Sequence, residues 1–261
     1  MKKIIFLLFV SLISFKTFSL AQDNLDFSFQ DTPQEKYRKF SSGNEVVSWW
    51  QNLYSGLKLS KDEKNIIYQY TFGDFVVING KLRNGFSISS LDEKQKDMIS
   101  RLDKALSKTI VFENLQVYRY ENLGFLLKLI DKDLFKKIYQ NGKFTKKSAS
   151  YLEIINHKKY KDYGFMSTTA IRNSVFQTRP IELVIKVPKY SDVMFVSLKE
   201  LAGSPDQYEL LFPRNRILTI EKYELSQDYT RLTIFAKMSP PCQEGKTCIE
   251  EKVDNLKQPK N

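Results

Sequence analysis

The chain has 261 residues, 42% of them hydrophobic and 13% aromatic, enough to build the core of one large domain or two small ones without disulfides or a metal. Its 41 lysines and arginines against 30 acids give a formal charge of +11, a surplus that favours phosphates, acidic protein surfaces or membrane faces, although the lysines are scattered among acids as on an ordinary soluble surface. His157 is the only histidine and no cysteine cluster accompanies it, so a zinc site and a Ser-His-Asp triad both lack support.

Residues 1–21 read as a signal peptide: Lys2-Lys3, an apolar run from Ile4 to Ile13, then small residues around Ser19-Leu20-Ala21. The run is too short, and too interrupted by Lys16, for a transmembrane span, and no later stretch approaches one. Position 22 is Gln rather than Cys, which leaves no acceptor for a lipid anchor there. The expectation is a secreted chain that starts near Gln22 with no transmembrane segment. Loss of Lys2, Lys3 and Lys16 takes the charge from +11 to +8. Residues 22–43, with Pro33, Ser41, Ser42 and Gly43, show no sustained period and read as a lead-in segment.

From Asn44 to Tyr70 the pattern is helical. Val47, Trp50, Leu53 and Tyr54 share one face, Ile66, Ile67 and Tyr70 another, and Gly56 separates them. Ser60 followed by Glu63 predicts a capping box at the second helix. A helix over 74–83 would put Asn79 and Arg83 on one face, able to offer an amide and a guanidinium to a phosphate or to form ordinary helix surface. Leu91, Met98, Leu102 and Leu106 make one core stripe. Val111 to Tyr120 alternates as a strand with Arg119 among aromatics, a cation that needs either a carboxylate partner or a bound anion. Helical scaffold is expected near 121–140 and 147–160, split by Asn141-Gly142, with His157 on a helix surface.

Strands are predicted at 163–169, 181–185, 193–196, 208–212, 217–224 and 231–236, with Phe176 in the polar loop between the first two. Helices come first and strands afterwards, which argues for an α+β fold. In a strand, residues two apart point to one face, so Gln207 and Glu209 are expected to project together while Tyr208 faces away. Such a pair serves either as a solvated edge or as an amide reader beside a carboxylate that stabilises a transient cation. The tail over 238–261 carries Pro240-Pro241 and many charges, and Cys242 and Cys248 form either a small local disulfide or two free thiols.

Six ordered blocks resemble a known family: Leu59-Ser60-Lys61-Asp62-Glu63-Lys64, Ile78-Asn79-Gly80-Lys81-Leu82-Arg83, Tyr118-Arg119, Phe165-Met166-Ser167-Thr168-Thr169, Phe176-Gln177-Thr178-Arg179-Pro180 and Gln207-Tyr208-Glu209-Leu210-Leu211-Phe212-Pro213-Arg214. They are similar to the bacterial mono-ADP-ribosyltransferase toxins, and within them to the single-domain exoenzymes that modify Rho GTPases, over about residues 45–237. Around Arg119 and Phe212-Pro213-Arg214 there is likeness also to the streptococcal exported ADP-ribosyltransferase. The resemblance implies N-terminal helices followed by a core of two packed, mainly antiparallel β-sheets, in an ADP-ribosyltransferase domain spanning 44–237.

The resemblance also implies NAD as co-substrate, no metal, and a site whose members can be named. Arg119 matches the arginine that contacts NAD, with Asn79, Arg83 and Arg179 as helpers near the phosphates and nicotinamide. Phe176 matches the loop bordering nicotinamide, and Thr168 the middle of the Ser-Thr-Ser motif at the NAD site, whose third position is Thr169 here. Ser167 matches the residue that holds the catalytic carboxylate, and Glu209 that carboxylate. Gln207 stands where a Gln accompanies asparagine modification and a Glu arginine modification, so the implied partner is a host protein acceptor, a Rho-type small GTPase. Ser204 replaces the aromatic residue that the Rho-modifying exoenzymes carry three positions before this Gln, a departure that bears on the substrate rather than the reaction type. The likeness to the streptococcal enzyme offers arginine transfer to cytoskeletal proteins as an alternative, and NAD hydrolysis and a non-enzymatic binding module are two others. A monomer is expected, with no nucleic-acid partner.

Overall fold

The computed structural model describes residues 35–172, 176–202 and 205–240. The signal-peptide reading, most of the lead-in segment, the cysteine pair and Ser204 lie outside the described residues. Just before the helices, Arg38 bridges in parallel to Leu115 through bonds of 2.8 Å to Asn114 and Gln116, and Phe40 is buried.

Helix α1 (Gly43–Tyr54) begins where the Ser42 hydroxyl accepts the Glu45 N–H. Its buried stripe is Val46, Trp49 and Trp50, one step round from the expected Val47, Trp50 and Leu53 face. Trp49 accounts for the rotation: its ring packs 5.0 Å from Phe40 and its indole N–H donates to Glu113 at 2.8 Å. Helix α2 (Lys61–Gln69) carries the reciprocal capping box of Ser60 and Glu63. It widens into a π-helical turn at Tyr70–Asp74 before α3 (Phe75–Arg83), whose last turn passes to Gly85 at φ +82°. Helix α4 (Glu93–Leu106), capped by Asp92, buries Met98, Ile99, Leu102, Ala105 and Leu106.

Strand β1 (Leu115–Glu121) follows. The next segment departs from the sequence expectation. Only α5 (Lys132–Ile138) and α6 (Ser148–Leu152) are α-helical, around a hairpin of β2 (Tyr139–Gln140) and β3 (Lys143–Phe144) whose turn residues Asn141 and Gly142 are both left-handed. Residues Lys159–Asp162 form β4, not helix, because they pair with a later strand that local periodicity cannot reveal. His157 is exposed in the turn before β4 with φ +62°, off any helix.

The remaining strands are β5 (Met166–Thr169), β6 (Ile181–Val187), β7 (Met194–Phe195), β8 (Glu209–Phe212), β9 (Arg216–Leu225) and β10 (Leu232–Met238). The α+β class holds, and the pairs are antiparallel except β6 with β10. In place of two separate sheets, hydrogen bonding joins eight strands in the order β4-β9-β10-β6-β1-β5-β8-β7. The join between β1 and β5 rests on one register pair, Tyr118 with Thr169, so the sheet divides there into a five-stranded and a three-stranded part. That division opens the sheet where the chemistry-bearing side chains gather. Removing the α2 cap with Ser60→Ala is expected to lower unfolding free energy by about 1 kcal/mol, read by urea denaturation; an unchanged midpoint would show that packing alone holds the helix start.

Candidate active site

Asp162, at the end of β4, is 1% exposed and forms the floor of the site. Its carboxylate accepts both prongs of Arg83 from α3, Nε at 2.7 Å and Nη2 at 2.9 Å, as well as the Gly164 N–H at 3.1 Å. Arg119 of β1 lies 3.7 Å away through Nη1, which also donates to the Ser167 carbonyl at 3.0 Å. Glu121 accepts from Arg119 Nε at 2.6 Å. Burial pulls the Arg119 pKa down, but the carboxylates of Glu121 and Asp162 outweigh it and the guanidinium is held charged. Arg119 therefore has the carboxylate partner its surroundings demand, and it also lines the cavity.

Asn79, one turn before Arg83, closes the same corner. Its amide nitrogen donates to the Tyr70 hydroxyl at 2.8 Å and the Phe165 carbonyl at 3.2 Å, while its oxygen accepts the Phe165 N–H at 2.9 Å. Both amide hydrogens are thus committed to protein, and Asn79 shapes the wall by tying α3 to the start of β5. Gly164 is obligatory in this corner, since a Cβ there would lie 2.5 Å from Asn79 Oδ1 and 3.1 Å from Arg83 Nε.

Glu209 opens β8 opposite Thr169 of β5. Burial raises its carboxyl pKa, while the Ser167 hydroxyl that hydrogen-bonds it and the charge of Arg119 pull it down without cancelling the rise. Its backbone is fixed from the other side, where its N–H donates to Ser197 Oγ at 2.7 Å and its carbonyl accepts from Val196 at 3.0 Å. Thr168 is buried and spends its hydroxyl on the Leu210 carbonyl at 2.9 Å, locking β5 to β8.

Gln207 and Glu209 both line the cavity, by a different route from the strand alternation expected. Gln207 ends a 3-10 turn, Pro205–Gln207, and Tyr208 has φ +48°, so the chain turns sharply between the two side chains. On the far wall the Arg179 guanidinium lies 4.5 Å over the Phe176 ring and donates to the Tyr120 carbonyl at 2.9 Å. Arg172, shortly after β5, grips buried Glu182 with two bonds of 2.8 Å.

All nine residues singled out from the sequence, Asn79, Arg83, Arg119, Ser167, Thr168, Phe176, Arg179, Gln207 and Glu209, line one cavity of about 430 Å³. The volume is in the range of small-molecule sites. Guanidiniums of Arg83, Arg119 and Arg179 suit a pyrophosphate, and Phe176 offers a ring face to a heteroaromatic base. Sequence reasoning missed Tyr70, Phe72, Phe75, Tyr118, Tyr120 and Glu121 on the walls and Asp162 beneath them. Glu121 was findable, since it stands two residues from Arg119 in the same strand; nothing local distinguishes Asp162 from the other acids. Among the described residues no group of histidines, cysteines and acids is arranged to hold a metal.

Helices leading into this divided sheet, with such a cavity at the division, define an ADP-ribosyltransferase. The chain belongs to the ADP-ribosyltransferase exoenzyme family, whose profile matches residues 46–240, and it is a mono-ADP-ribosyltransferase. It is 30% identical over 241 residues to the epidermal cell differentiation inhibitor of Staphylococcus aureus, covering 90% of this chain and 97% of that one. With the mono-ADP-ribosyltransferase C3 of the Clostridium botulinum D phage it shares 30% identity over 206 residues, 77% of this chain and 79% of the relative. Among solved structures, C3stau2 from S. aureus with NAD superposes with a TM-score of 0.72 at 26% identity, covering 78% of this chain and 99% of that chain. The Clostridium limosum C3 exoenzyme gives 0.70 at 25% identity, with 78% and 98% covered.

Two outcomes are expected from the electrostatics. Asp162→Ala leaves Arg83 and Arg119 without their buried counter-charge and lowers unfolding free energy by about 3 kcal/mol or more; a loss below 1 kcal/mol in urea titration would remove Asp162 from the floor of the site. Because the folded pKa of Glu209 is raised, its ionised form costs stability above that pKa, and the cost vanishes below the unfolded carboxylate range of about 4.3. Glu209→Gln therefore raises the melting temperature at about pH 7, and the gain disappears as pH falls through the folded pKa towards about pH 4. Melting curves across that range decide it, a lowered melting temperature at neutral pH being the contrary result.

Proposed function

We propose that the protein is an exported, toxin-like enzyme whose residues 44–237 cleave NAD at the nicotinamide-ribose bond and transfer ADP-ribose to a host protein, an asparagine of a Rho-type small GTPase. The observation that carries this reading is Glu209: a carboxylate bonded by Ser167 and facing Arg119, in one cavity with Gln207, Phe176 and Arg179. NAD supplies a glycosidic bond to a pyridinium leaving group, and the chain supplies the surroundings in which that bond breaks. Arg119, Arg83 and Arg179 hold the pyrophosphate, and Phe176 packs against the nicotinamide ring. Thr168 backs this wall by holding β5 on β8.

Glu209 accepts from the 2′-hydroxyl of the nicotinamide ribose and offsets the positive charge that develops at the anomeric carbon as nicotinamide departs with the bonding electron pair. Ser167 keeps the carboxylate aimed. Gln207 presents its amide to an acceptor amide, whose nitrogen forms the new bond to the anomeric carbon and gives up a proton. A neutral Gln suits an asparagine acceptor through reciprocal amide bonds, whereas an arginine acceptor needs a counter-charge there. Phe72 and Phe75 line the cavity yet are 71% and 43% exposed, so they form an apolar rim against which a protein acceptor can close.

Purified residues 22–261 incubated with labelled NAD and host-cell lysate are expected to label a band of small-GTPase size that resists neutral hydroxylamine. A hydroxylamine-labile band would move the acceptor to arginine, and nicotinamide release with no labelled protein would make the enzyme a glycohydrolase. Glu209→Gln is expected to lower transfer by about 10²-fold or more; wild-type transfer by that variant would exclude Glu209 from the chemistry.

A further inference from the structure

We infer that Gly43, the first residue of α1, is a positioning residue for transfer to the protein acceptor: it forms the notch in which the Tyr208 ring docks, and through Tyr208 it sets where Gln207 stands. The inference rests on the roles proposed above for Gln207 and Glu209. Gly43 is buried, and a Cβ built on it would overlap the Tyr208 ring at Cε1, Cζ and Oη. Its φ is outside the left-handed region, so the backbone itself does not require glycine. The need is steric, a close approach of ring to main chain that only a missing side chain permits.

Tyr208 is the pivot of the turn. It sits at φ +48°, a conformation that L side chains avoid, with its N–H donating to the Pro205 carbonyl at 3.4 Å and its carbonyl accepting the Ala170 N–H at 3.0 Å. The residues on either side of it are held very differently. Glu209 is fixed by Thr169 across the sheet, by Ser197 and by Val196, all independent of Gly43. Gln207 ends a three-residue turn outside the strands, so a shift of the Tyr208 ring passes to Gln207 while Glu209 stays in place. Filling the notch therefore separates the two steps of the reaction: NAD cleavage, which needs Glu209, continues, and delivery to the acceptor, which needs Gln207, fails.

The test uses the full mature chain as wild type, G43A, Y208F, Y208A and the double variant G43A/Y208A. Two rates are measured, label transfer to protein and nicotinamide release without acceptor, together with melting temperatures. Transfer by G43A is expected to fall about 10-fold or more, as sub-ångström to ångström misplacements of positioning groups do, with nicotinamide release within about 2-fold of wild type. Y208A reproduces that split, Y208F retains transfer because the ring fills the notch, and adding G43A to Y208A changes nothing further because the clash has no ring to meet. Equal loss of both rates in G43A, wild-type transfer by G43A, or additive losses in the double variant would overturn the inference. Should G43A not fold, Y208A against Y208F decides it: loss of transfer alone in Y208A supports the docking, and loss of both rates overturns it. A wild-type protein that releases nicotinamide but labels no protein overturns the transferase reading itself, which is distinguishable from a G43A that labels as well as wild type.

Discussion

A carboxylate taken almost completely out of water is the constraint around which the rest of the site is arranged. An unpaired ion at the position of Asp162 would cost several kcal/mol, so the site is built from partners for it. Its charged partners come from distant parts of the chain, Arg83 from the end of α3 and Arg119 from the middle of β1, while the Gly164 N–H two residues on adds a local bond. The ion pair thereby fixes where the helical layer meets the sheet. Two guanidiniums and two carboxylates, with Glu121 as the fourth member, nearly cancel in charge. The floor of the cavity is in consequence rigid more than it is strongly positive. Arg179, held by an aromatic face and a carbonyl, adds a charge that this cluster does not cancel, on the wall opposite.

Glu209 follows the opposite design. It has a hydroxyl partner and a distant guanidinium in place of a close ion pair, and its pKa is raised accordingly. Glu209 is thus left under-compensated, and its ionised form costs the folded state stability. The backbone bonds to Ser197, Val196 and the Thr169 pairing are what allow the strand to tolerate that cost.

Much of this was legible in the sequence because much of it is local. The capping box at Ser60, the Asn79-Arg83 face of α3 and the stripe of α4 are spacings within one helix, and β6 alternates through Ile181, Leu183 and Ile185. Where the reading departed from the structure, a partner far along the chain decided the outcome. Lys159–Asp162 is a strand because β9 pairs with it, and α1 turns its tryptophan face inward because Phe40 and Glu113 receive Trp49. Asp162 was invisible for the same reason: its identity as the floor of the site lies in Arg83 and Arg119, not in its neighbours. The nine residues picked out by their order along the chain nonetheless line one cavity, since that order resembles the one in a family whose fold brings such positions together.

The turn from Gln207 to Glu209 shows how one local strain can separate the anchoring of two nearby side chains. Had these three residues continued as regular strand, Gln207 and Glu209 would be coupled through a single rigid ladder, and any shift of one would disturb the other. The left-handed Tyr208 breaks that ladder at a cost of about 1–3 kcal/mol. Packing of its ring against Gly43 and the core, together with backbone bonds on both sides, offsets the strain. Glu209 is thereby left to the sheet and Gln207 to the turn. A scaffold of this kind can change the residue before the break while the carboxylate after it, held by Thr169, Ser197 and Val196, keeps its geometry.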